Sequence, residues 1–138
     1  MKNTVASKPA KTTRRGGGKG KKKEEVQLKN KILIIDDEAD FVEAFRRTFE
    51  EKAYQVVTTS GKEQAQEALR TEEPNVIVLG TMAPAGEAFS MYQWLEQHPR
   101  HSEVPLLVID ARYKERSIRG WRRHEGLQLD ADAYVSKP

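Results

Sequence analysis

Runs of apolar, largely β-branched residues limit what this chain can become. Ile32–Ile35, Val76–Leu79 and Leu106–Ile109 are continuously apolar rather than alternating, the pattern of strands buried on both faces. Segments of helical periodicity separate them. A helix is predicted from about Glu38 to Glu51, with Phe41, Ala44, Phe45 and Phe49 on one stripe and Asp37 as its N-cap. Tyr54–Thr58 reads as a second strand and Gly61–Arg70 as a second helix, Ala65, Ala68 and Leu69 facing inward. Pro74 and Asn75 open the strand Val76–Leu79, and the loop Gly80–Glu87 leads to a helix over Ala88–Gln97 carrying Phe89, Tyr92 and Leu95. Pro105 opens the fourth strand. Lys114–Arg123 reads as a basic amphipathic helix with Ile118 and Trp121 as its apolar contacts, and Ala133–Val135 as the last strand. There is no internal repeat.

Strands alternating with helices imply an α/β fold, a parallel sheet covered on both faces by right-handed crossovers. In such sheets the functional crevice lies at the carboxyl ends of the strands. Asp36, Asp37, Gly80, Asp110 and Lys137 each follow a predicted strand, so residues distant in sequence should meet at one edge. Adjacent carboxylates such as Asp36 and Asp37 repel unless a cation lies between them, and hard oxygen ligands suit Mg²⁺. The alternative is simple helix capping. Lys137 is either a surface lysine or a cation reaching back into this acidic pocket.

Charge separates two regions. Of 24 Lys and Arg, ten lie in residues 1–30 against two Glu, whereas the rest of the chain is mildly acidic despite the net +3. Residues 1–30 lack the apolar side chains to offset ordering entropy and are expected to be a disordered tail, with 31–138 as the folded domain. The tail reads either as a solubilising leader or as a polybasic arm for an anionic partner, nucleic acid or membrane. With no cysteine there is no disulfide or thiolate metal site. No apolar run approaches the roughly 20 residues of a membrane span, and no signal peptide is evident; a cytoplasmic location is expected. GxGxxG, P-loop and GxSxG motifs are absent, so the chain is expected not to be an enzyme and to take no small-molecule substrate.

Three segments, KILIIDD (Lys31–Asp37), VIVLGTMAP (Val76–Pro84) and AYVSKP (Ala133–Pro138), in this order and spacing, resemble the receiver domain of bacterial response regulators. The resemblance covers about Lys31 to Pro138. It implies a doubly wound five-stranded parallel sheet of flavodoxin or CheY-like order 2-1-3-4-5, with the family's final helix absent from this chain. That absence would leave one face uncovered unless the chain is a fragment or a partner supplies the cover. It further implies a two-component or phosphorelay signalling role, a histidine kinase or other signalling protein as partner, and an acidic pair, Asp36 and Asp37, that binds metal. The lysine–proline pair Lys137–Pro138 would contact the phosphoryl group, its peptide bond cis.

The resemblance breaks at Gly80, where the family carries its phosphoacceptor aspartate. Met82, Pro84 and Phe89 hold the register of the family's D-x-M-x-P loop. Glycine offers no nucleophile, and nothing specifies a base to activate the neighbouring Thr81. Asp110 stands where the family has Thr or Ser, and an aspartate there would repel a phosphoryl dianion. Asp110 is expected instead to replace the lost charge and pair with Lys137. Tyr134 falls at the family's aromatic switch position; it reads first as a half-buried strand residue, fixed in one rotamer. Arg119, Arg122, Arg123 and His124 around Trp121 form either a partner patch or a solvated helix face. The expected protein is therefore a degenerate receiver acting through phosphorylation-independent protein–protein contact, requiring no cofactor and with weakened Mg²⁺ binding. The alternatives are a phosphoacceptor using Asp36, Asp37 or Asp110, and a tether acting through the basic tail.

Overall fold

The computed structural model describes residues 30–138; the basic tail falls outside the described residues except for Asn30, whose carbonyl accepts from Gln55 N–H at 2.9 Å at the sheet's margin. Five strands, β1 (Lys31–Ile35), β2 (Gln55–Thr59), β3 (Val76–Leu79), β4 (Leu106–Asp110) and β5 (Ala133–Ser136), form one all-parallel sheet in the order β2-β1-β3-β4-β5. The expected doubly wound order is thus the observed one. Ladders are in simple register, with Ile32 opposite Val56 and Val76, and Ile109 opposite Val135.

Side chains alternate across a strand, and β1 divides two cores accordingly. Leu33 and Ile35 pack with Ile77, Leu79, Met91, Leu95 and Val108 on one face. That face is covered by helices α2 (Lys62–Thr71) and α3 (Glu87–Glu96). Ile32 and Ile34 pack with Val78 and Ile109 on the other face, against Phe41, Phe45 and Phe49 of α1 (Ala39–Glu50). The predicted phenylalanine stripe is therefore the docking face of α1, its rings 6.2 and 4.5 Å apart at successive steps. Asp37 does not cap this helix. Glu38 takes the N-cap position without a side-chain cap bond, and its N–H is taken by Asp36 Oδ1 at 2.8 Å. Asp37 is left to face the loop after β3.

After α3 comes a short turn of helix, α4 (Pro99–Ser102). The predicted continuous helix over Lys114–Arg123 does not form. A 3₁₀ turn (Tyr113–Glu115) runs into the four-residue α5 (Arg116–Arg119), the chain breaks at Gly120, and α6 (Arg123–Gly126) follows. The close approach that glycine permits and a polar contact hold the break in place. A Cβ on Gly120 would lie 2.7 Å from Arg116 Cα, and the break turns the Trp121 N–H onto Asp110 Oδ1 at 3.0 Å. Trp121 packs against Phe89 and Tyr92 at 5.9 Å each and is 7% exposed, whereas Ile118, its expected apolar companion, is 64% exposed. The edge strand β5 is exposed along its length. Among the described residues no helix is long and apolar enough to cross a membrane.

Candidate functional site

The carboxyl ends of β1, β3, β4 and β5 meet as the parallel topology requires. Backbone bonds fix the frame: Gly80 N–H donates to Ile35 carbonyl at 2.8 Å, Asp37 N–H to Thr81 carbonyl at 3.1 Å and Lys137 N–H to Asp110 carbonyl at 2.9 Å. Within it Asp36, Lys137 and Thr81 are all buried.

Lys137 enters from β5 and finds an acceptor for each of its three N–H donors. Its Nζ lies 3.0 Å from Asp36 Oδ2, 2.8 Å from Glu38 Oε1 and 3.0 Å from Thr81 Oγ1, with the Phe41 ring centroid 4.6 Å away. Lys137 is a pocket cation, not a surface lysine. Asp36 is further bonded by Thr81 N–H at 2.8 Å. Burial nevertheless outweighs these donors and raises its carboxyl above the usual carboxylate range. Glu38, more open to solvent, is held below its ordinary value, chiefly by the bond from Lys137.

Gly80 leaves the end of β3 without a side chain. A Cβ at this position would fall on the Asp36 carboxylate, 2.7 Å from its Cγ. The volume over the end of β3 is filled by Asp36, leaning across from β1. Thr81, one residue on, has its hydroxyl accepting from the Lys137 ammonium, and the Asp36 carboxylate that takes its N–H is itself engaged by that lysine.

Asp37 points to the other side of the crevice. Its Oδ2 accepts from Ala83 N–H at 2.9 Å and its Oδ1 from the Arg119 guanidinium. The Asp37 carboxylate raises the Arg119 pKa through this bond. Arg119 therefore reaches back from α5 across the crevice; the arginine cluster is in part an internal device. Arg112 likewise donates to Glu38, with Nη1 3.0 Å from Oε2.

The expected Asp110–Lys137 ion pair does not form. Asp110 is buried, but its carboxylate turns away from the crevice. Its Oδ1 accepts from Ala111 N–H at 2.7 Å and Trp121 N–H at 3.0 Å, and its Oδ2 from the Tyr134 hydroxyl. Arg116 Nε stands 4.0 Å from Oδ2. With two backbone donors and a phenol already satisfied, the carboxylate has no need of the lysine, which Asp36 and Glu38 hold instead. Tyr134 is pinned by this bond although 47% exposed. Burial first, and then the Asp110 carboxylate, push its phenol up to about 12. Two other expectations are corrected. The cis peptide bond is Ala83–Pro84 rather than Lys137–Pro138, the chain remaining extended through β5 as far as the Lys137 backbone bond. Arg122 and His124 lie outside the crevice, Arg122 being bonded to the buried Glu125.

Asp36 and Asp37 were the expected Mg²⁺ ligands, and the donor set as arranged does not fit that ion. Mg²⁺ takes oxygen ligands in a near-octahedral shell. Here the Asp36 oxygens are committed to Lys137 and two backbone N–H groups, Asp37 to Arg119 and a third, and Gly80 supplies none. Among the described residues no three His, Cys, Asp or Glu side chains are grouped as a metal site. A depression of about 360 Å³ opens beside Asp36 and Asp37, bordered by Arg46, Thr58 and Ser60. A broader one of about 650 Å³, over Ser60–Gln64 and Glu87, lies away from the lysine and the acidic pair.

Residues 32–138 match the response regulator receiver domain. The chain belongs to this receiver family. The chain is 32% identical over 111 residues to the alkaline phosphatase synthesis transcriptional regulatory protein PhoP of Bacillus subtilis, covering 80% of this chain and 43% of that protein. It is 34% identical over 114 residues to the probable transcriptional regulator ycf27 of Pyropia yezoensis, covering 80% and 42%. This receiver thus spans less than half the length of these curated relatives. Among solved structures, the signal receiver domain of a signal transduction histidine kinase from Syntrophus aciditrophicus superposes with a TM-score of 0.66 at 22% identity, covering 79% of each chain. The receiver domain of a sensor histidine kinase from Pseudomonas aeruginosa PAO1 superposes at 0.64 and 17% identity, covering 80% of this chain and 87% of that one. That structure carries a magnesium ion coordinated in its active site cleft.

Glu38, Arg112 and Arg116 were not singled out from sequence, whereas Arg119 was, as part of the cluster around Trp121. Glu38 extends the acidic pair to three consecutive carboxylates, a run visible in the sequence. Arg112, Arg116 and Arg119 recur at helical spacing, which places them on a common side, but the carboxylates they answer lie up to 82 positions away.

Proposed function

We propose that this receiver is a signalling module of a two-component system that works through protein–protein contact without accepting a phosphoryl group. Gly80 carries the reading: the strand end that would present an acceptor carboxylate has no side chain, and Asp36 fills its space. The remaining carboxylates support the same conclusion. Asp36 and Asp110 are buried and fully bonded, and Asp37 is held by Arg119, so none is free to attack in line. On this reading the protein is not an enzyme, needs no cofactor, and has a histidine kinase or another cytoplasmic signalling protein as its partner. The Asp110–Tyr134 bond holds the aromatic in one position, so the partner meets a constitutive surface.

The test is incubation of the full chain with acetyl phosphate, and separately with beryllofluoride, in the presence of Mg²⁺. Amide NMR spectra and intact mass are expected to stay unchanged. A Mg²⁺-dependent mass increase lost in Asp36→Asn, Asp37→Asn or Asp110→Asn would overturn the reading in favour of an alternative phosphoacceptor.

A further inference from the structure

The crevice is neutral by construction. Asp36, Asp37 and Glu38 are answered by Lys137, Arg119 and Arg112, and Asp110, turned out of it, by Arg116. Two of these cations are expected from the fold or incidental to the acidic pair: Lys137 follows β5, as in the family, and Arg112 is partly solvated beside Glu38. Arg116 serves Asp110, outside the crevice. Arg119 is different. It comes from the β4–β5 connection, crosses to the β1–α1 loop and places its guanidinium directly on the outward carboxylate of the acidic pair. Its side chain is three-quarters buried, as is that of Asp37, so the pair is sheltered from the solvent that makes exposed ion pairs worth little.

We propose that Arg119 is the resident counter-cation of the pocket, standing on Asp37 in place of a divalent ion and thereby closing the site to Mg²⁺. The inference deepens the phosphorylation-independent reading but stands on different residues, Arg119 and Asp37 rather than Gly80. Its physical basis is competition for one carboxylate. Asp36 is occupied from within by Lys137, so Asp37 is the remaining oxygen ligand an entering ion could use. A hydrated Mg²⁺ must shed water to bind, and it is reluctant to do so. A guanidinium already hydrogen-bonded to the same oxygen, at no cost in lost translational freedom, holds the advantage. The arginine also does what a small ion cannot: it fastens α5 and the Gly120 break to the end of β1.

The experiment uses the full chain with Mg²⁺ itself, read by calorimetry, and with Mn²⁺, read by paramagnetic broadening of the amides of residues 36–38 and 80–83. The wild-type protein is expected to show no saturable binding and no selective broadening. Arg119→Ala should broaden these amides and gain Mg²⁺ affinity by about tenfold or more, the scale by which supporting groups tune metal sites. Arg119→Gln, which keeps a polar stem and an N–H donor but neither the charge nor the full reach, is the variant retained if alanine loosens the connection, and the same gain is expected. Adding Asp37→Asn to either should abolish the gain. Equal Mg²⁺ binding by wild type and the Arg119 variants would overturn the inference, as would no binding by any of them. Both results leave the phosphorylation-independent reading standing, because that reading fails only on a phosphodonor response.

Discussion

At the scale of single residues, the absence of a side chain at position 80 has consequences that can be measured. A Cβ at Gly80 must displace the Asp36 carboxylate, so Gly80→Ala is expected to lower stability by about 1–3 kcal/mol, the usual cost of overpacking. The loss should shrink in an Asp36→Ala background, where the new methyl meets no carboxylate; a denaturant-midpoint double-mutant cycle measures the coupling. Tyr134 offers a second reading. Its phenol is pushed up to about 12 by burial and by the Asp110 carboxylate. Ultraviolet titration should show one late tyrosine, absent in Tyr134→Phe. Asp110→Asn should bring it down without restoring the ordinary value, because burial persists. Since the folded pKa is the higher one, the stability that Tyr134 contributes is fully present below its ordinary 10.0 and is lost as pH rises through about 12.

At the scale of elements, the connection between β4 and β5 shows where sequence pattern stops being a guide. Periodicity groups Ile118 and Trp121 on one apolar face, yet the chain breaks between them at Gly120. Trp121→Ala is accordingly expected to cost about 3–5 kcal/mol, while Ile118→Ser should shift the unfolding midpoint little. A reversed ranking would restore the continuous helix. The strands and the three long helices were legible because burial on a parallel sheet imposes a local, repeating pattern: Ile32–Ile35, the phenylalanines of α1 and Ala65–Leu69 of α2 all announce their faces. Asp36, Asp37 and Lys137 were legible as a group because the topology brings strand ends together. Their pairing was not. Lys137 chose Asp36 and Glu38 over Asp110, because side-chain direction at the end of β4 depends on the Trp121 and Ala111 N–H groups, donors positioned by a break that no periodicity encodes.

At the scale of the whole molecule, one ion cluster ties the sheet's carboxyl edge to the β4–β5 connection, and its response to acid can be given a sign. Glu38 titrates below its ordinary 4.5 in the folded protein, so its contribution is present above that value and is lost as pH falls through the lowered range. Asp36 works the other way. Its carboxyl is raised above 3.8, so the folded state takes up that proton first, and stability is lost as pH rises through the raised value. Unfolding midpoints followed through the carboxylate range should therefore show opposing slopes. Glu38→Gln should remove the fall on the acid side, and Asp36→Asn the opposing one.

Placing an aspartate at position 80 is more than the exchange of one side chain. The way Asp36 fills the end of β3 makes that step uphill. The newcomer would meet a neighbour already seated, a lysine already engaged and an arginine on the adjacent acid, so opening this strand end to an acceptor would require several coordinated substitutions. Close packing at this one edge thus makes position 80 costly to refill, whatever residue is offered.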